Sequence, residues 1–84
     1  MIKISIAQRQ RDILVALRED ATNEKRKYID RALVNKLDVY DIDVLCRIIN
    51  DEYLMRGIEK DYSPNPYGRE LETLLNTVNK PRLI

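Results

Sequence analysis

The side chains that could carry function fall into two groups of opposite charge. Asp38, Asp41, Asp43, Asp51, Glu52, Glu59 and Asp61 follow one another through a largely apolar stretch and lead into Tyr62-Ser63-Pro64-Asn65-Pro66-Tyr67. A surface of this make-up suits a basic protein partner, because complementary charge steers association. Tyrosines in a proline-restricted loop add large contact area with little entropy to lose. The candidate partner-binding residues are therefore Asp38, Asp41, Asp43, Asp51, Glu52, Asp61, Tyr62 and Tyr67. A purely structural account of the same residues is that the carboxylates cap and solvate a helix while the rings pin the longest loop to the core.

The second group is basic. Arg11, Arg18, Lys25, Arg26, Lys27 and Arg31, with Arg9 and Lys36 beside them, could contact phosphates, and Tyr28 could stack a base. Asp12, Glu19, Asp20, Glu24 and Asp30 interrupt this series, and no glycine-containing helix-turn-helix spacing accompanies it. Nucleic-acid binding is accordingly the alternative function. The whole chain is almost neutral, with 15 Lys and Arg against 14 Asp and Glu in 84 residues. Its segments are not. Residues 1–36 hold nine basic against five acidic side chains, hence +4, whereas residues 37–62 hold three against seven, hence −4.

Other chemistries are closed off by residue type. There is no His, so the usual general base near neutral pH is missing, along with His-dependent triads and most zinc sites. Cys46 sits on an apolar stripe with Ile42 and Ile49, where an inert thiol is expected, and no His is present to activate it. Asp38, Asp41 and Asp43 do not match a calcium loop, because the glycine such a loop needs at its sixth position is absent. With Gly57 and Gly68 as the only glycines, phosphate-cradling and nucleophile-elbow patterns cannot be written. The expectation is a non-enzymatic module without cofactor or metal, of the kind represented by immunity proteins, antitoxins and phage-type inhibitors.

One cysteine cannot form an internal disulfide, and the opening Met1-Ile2-Lys3-Ile4-Ser5-Ile6 is too interrupted for a secretory leader, so a cytoplasmic protein is expected. No run approaches the roughly 20 apolar residues of a membrane span. The length suits a single domain, residues 1–84.

The elements that must position these groups read as helices. Ile2, Ile4 and Ile6 alternate with polar residues in a short extended lead-in, for which no second strand is available. Ser5 can cap a first helix over 6–19 with Ile6, Gln10, Ile13, Leu14 and Leu17 inward. Thr22 or Asn23 can cap a second over 24–36, with Tyr28, Ile29, Ala32, Leu33 and Leu37 inward. Asp38 or Asp41 opens a third, which Gly57 would close in a left-handed conformation. Its apolar residues run wider than one stripe, which predicts a central position, or a homodimer through Ile48, Leu54 or Met55. Asn65 and Pro66 start a fourth helix whose Leu71, Leu74, Leu75 and Val78 keep perfect helical spacing until Pro81 ends it. The fold class expected is all-α, a compact bundle of about four short helices in which sequential neighbours pack together.

Overall fold

The fourth helix forms as its spacing dictates. Asn65 accepts the Gly68 amide on its side-chain oxygen at 2.7 Å, Pro66 occupies the first turn where no amide is needed, and Leu71, Leu74 and Val78 are fully buried. The computed structural model describes residues 2–83. It contains α1 (Gln8–Asp20), α2 (Asn23–Leu33), α3 (Val39–Arg56) and α4 (Pro66–Asn79), followed by a 3-10 turn over Lys80–Leu83. The protein is an all-α bundle. Its core joins Ile13, Leu14 and Leu17 of α1 to Ile29 and Ala32 of α2, Ile42, Leu45 and Ile49 of α3, and the buried stripe of α4. The most extensive packing is α3 on α4, then α1 on α2 and α2 on α3, with a smaller α1 contact on α4 closing the bundle.

Two helix boundaries and one terminating conformation differ from expectation. The first helix begins at Gln8 with Ala7 as its cap, because Ile4 is buried against the core and Ile6 packs beside it in the extended chain that precedes the helix. Gln10 supplies the cap instead of Ser5: its side-chain oxygen accepts the Ala7 amide at 2.9 Å while its nitrogen donates to Thr77 on α4 at 2.9 Å. The second helix stops at Leu33, since Asn35 adopts a left-handed backbone with φ of 59°. Asn35 there takes the place of a strand. Its carboxamide accepts the Ile4 amide at 2.8 Å and donates to the Ile4 carbonyl at 3.1 Å, and one bridge joins Ile2 to Leu37. α4 ends at Asn79, ahead of Pro81 as its spacing predicts, and the chain continues as the 3-10 turn that contains Pro81.

The third difference concerns Gly57, which closes α3 as expected but with a φ of −98° that is open to any residue. Its lack of a side chain serves contact instead. Gly57 and Gly68 meet where the end of α3 crosses the start of α4, and a Cβ on Gly68 would lie 1.9 Å from the Gly57 carbonyl oxygen. Asn65 fastens this crossing with an amide bond to the Gly57 carbonyl and a side-chain bond to the Arg56 carbonyl, both at 2.9 Å.

The surplus apolar surface of α3 is not internal either. Ile48 packs on the core, but Tyr40, Leu54 and Met55 are 64%, 57% and 73% exposed, so α3 lies at the side of the bundle with one face open to solvent.

Candidate functional site

The acidic residues at the start of α3 are taken up by the fold. Asp38 caps the helix by accepting the Asp41 amide at 2.8 Å, and Asp41 returns the bond by accepting the Asp38 amide at 3.1 Å, a reciprocal capping box. The other Asp41 oxygen accepts from Arg31 at 2.6 Å, and the residue is only 3% exposed. Asp41 therefore stabilises the α2–α3 junction and offers no surface to a partner. Asp43 pairs with Arg47 at 3.1 Å. Asp61 folds onto Ser63, accepting its amide at 3.1 Å and its hydroxyl at 2.6 Å, and these bonds hold its carboxyl below the usual carboxylate range. Asp51 points to solvent.

The two loop tyrosines part company. Tyr67 lies partly buried against the core, and its hydroxyl donates to Glu52 at 2.7 Å. Burial, and then the Glu52 carboxylate, push its phenol well above the ordinary value of 10.0. The Glu72 carboxylate on α4 likewise raises the phenol of Tyr53 on α3 above its ordinary value. Because the folded pKa of Tyr67 is raised, its contribution to stability is complete below about pH 10 and declines as the pH climbs toward the folded value. The thermal midpoint is expected to fall on the alkaline side, and Tyr67→Phe to flatten that fall; circular-dichroism melts of both proteins across the alkaline range check it.

Tyr62 is the opposite case. Ile58 bridges Pro64 in a miniature hairpin, with Glu59 donating to Ser63 and Tyr62 donating to Glu59. The residue ending such a turn takes the left-handed conformation that glycine normally supplies, and here it is Tyr62, with φ of 68° and 82% of its surface exposed. A strained backbone thus holds an aromatic ring out in water.

The basic residues are mostly engaged within the molecule. Arg18 pairs with Asp30 at 2.5 Å, Arg31 with Asp41, and Arg11 donates to the Leu33 carbonyl at 3.1 Å. Arg26 caps the end of α1 through the Arg18 carbonyl at 3.0 Å and the Glu19 carbonyl at 3.5 Å. Lys27 and Arg31 lie over the Tyr28 ring, which meets Tyr40 edge-on at 6.2 Å, so Tyr28 is covered by its own neighbours. Of the six candidates for phosphate contact, Lys25 and Lys27 keep exposed heads without an ion pair among the described residues.

What the folded chain does assemble is a groove of about 240 Å³ between the α1–α2 turn and the second half of α3. Leu17, Ala21, Ile48 and Met55 form its apolar floor, and Asp20, Asp51, Glu52, Lys25 and Arg56 its rim. Arg56 reaches Asp20 at 3.3 Å and Glu52 at 3.8 Å across one end. No family model, curated protein or solved structure matches this chain. The groove residues from α1 and from the α1–α2 turn were outside the sequence-based candidates. Nothing in linear spacing signals them, because Asp20 and Asp51 are 31 positions apart and meet through tertiary packing alone. Among the described residues no group of three or more Cys, Asp or Glu could hold a metal ion, and no helix is long and apolar enough to cross a membrane.

Proposed function

We propose that the protein is a small non-enzymatic binding module, of the immunity, antitoxin or inhibitor type, that grips a basic protein partner. The groove beside α3 carries the reading: an apolar floor with three carboxylates and two cations on its rim suits a Lys or Arg stem whose head group reaches Asp20 and Asp51. Tyr62, on the hairpin that continues from α3, adds an exposed aromatic anchor. Retaining Tyr at a position that favours Gly costs stability, and an external use for the ring explains why that cost is tolerated.

Affinity capture followed by titration of the captured protein tests this. Asp20→Lys with Asp51→Lys is expected to abolish binding, whereas Asp38→Ala, which weakens a helix cap on another part of α3, leaves it intact in the folded protein. Tyr62→Gly separates stability from function: it is expected to make the fold about 0.5–1 kcal/mol more stable, by relieving left-handed strain, while weakening capture. Binding that survives the double reversal sinks the reading. If the partner proves to be nucleic acid, random-sequence duplex will bind with an affinity that drops steeply with salt, and Lys25→Glu with Lys27→Glu will remove it.

A further inference from the structure

The outward face of α3 has a pattern that the groove does not use. Tyr40, Val44, Arg47, Asp51 and Leu54 recur at intervals of four, three, four and three residues, the repeat that keeps a stripe facing a second helix along its length. Tyr40 and Leu54 are exposed, Val44 stands outside the core cluster, and Arg47 has a 75% exposed side chain. The buried side of the same helix is formed by Ile42, Leu45 and Ile49, so this stripe lies opposite the core. Apolar residues therefore occur around the whole circumference, which a helix packed on one side does not require.

We propose that two copies of this chain pair through α3, antiparallel, about a two-fold axis level with Ile49. The charges select that arrangement. Arg47 and Asp51 are equidistant from residue 49, so antiparallel pairing sets Arg47 against Asp51 of the partner subunit twice, and sets Val44 against Leu54 of the partner subunit twice. A parallel pair would face Arg47 with Arg47 and Asp51 with Asp51, each repulsive. The stripe is thus self-complementary in one direction only, as a two-fold interface demands. With α3 about 27 Å long at about 1.5 Å per residue, the contact falls at the small end of specific interfaces. Asp51 borders both this face and the groove, but Val44 and Arg47 line only the former and Asp20 only the latter.

Sedimentation equilibrium of the full chain should show a mass rising with concentration toward twice the 9.9 kDa of one copy. Arg47→Glu and Asp51→Arg should each raise the dissociation constant about tenfold or more, and the two together should restore it, because the swapped charges face one another again. Both positions are exposed, and unchanged helical circular dichroism confirms that every variant is folded. The proposal is overturned by a wild-type monomer at the highest attainable concentration, by a dimer indifferent to either single reversal, or by a double variant that stays monomeric. Arg47→Glu alone also keeps this proposal apart from the binding reading: it should dissociate the dimer and leave the groove's partner bound.

Discussion

Gly68→Ala is expected to destabilise the protein by about 3 kcal/mol or more, enough to leave little folded chain at physiological temperature. The new methyl would sit 1.9 Å from the Gly57 carbonyl oxygen and 2.8 Å from its carbon, against backbone that no rotamer change can move. α4 would have to withdraw from the end of α3, breaking the Asn65 bonds to the Arg56 and Gly57 carbonyls and loosening Leu71 in the core. Small domains of this size keep a net stability of about 3–5 kcal/mol, so one such clash consumes most of it. The sign makes the experiment decisive. Ala is the better helix former by about 1 kcal/mol, so in the absence of the close approach the substitution would raise the urea midpoint. Gly57→Ala, whose methyl meets the Tyr53 carbonyl at 2.8 Å and Gly68 Cα at 2.9 Å, should likewise destabilise.

Asn35→Ala is expected to cost about 3 kcal/mol and to release the lead-in before the helices separate. Two partly buried bonds to the Ile4 backbone are lost, at about 1 kcal/mol each, and the Ile4 amide and carbonyl are left without these partners. Alanine also tolerates the left-handed backbone less well than asparagine. Hydrogen exchange read by NMR distinguishes local from global loss: the Ile4 amide should exchange freely in the variant while amides of α3 remain protected. Asn35→Gly relieves the backbone without restoring the bonds, so it should be destabilised less than Asn35→Ala but still expose Ile4.

What could be read in advance followed from information local in the chain. Asn65-Pro66 and the Leu71 to Val78 spacing mark α4 because cap, first turn and stripe are contiguous, and Asp38 marks the start of α3 for the same reason. Gly57 departs from the left-handed expectation because its partner, Gly68, lies eleven positions away across a helix crossing, where a sequence offers only the general habit of glycine at helix ends. Ser5 has the chemistry of a cap, but the isoleucines around it are taken into the core in extended chain, and Asn35 falls within a stretch that reads as helical, but its side chain replaces a strand. The acidic candidates divided for a similar reason. Asp41 is drawn inward by Arg31 ten residues away, Glu52 is held by Tyr67 at the groove's edge, and Asp51 stands exposed on the same rim as Asp20, which linear order places in the basic half.

The glycine crossing has an electrostatic consequence. α3 ends with partially negative carbonyls and α4 begins with partially positive amides, and the missing side chains let the two termini meet at backbone distance. Asn65 bridges them, its oxygen on an amide of α4 and its nitrogen on a carbonyl of α3. Each helix thus supplies the counter-field for the other. The first turn of α4 carries no acidic residue, and the opposing dipole of α3 lies where a carboxylate lies at the start of α3.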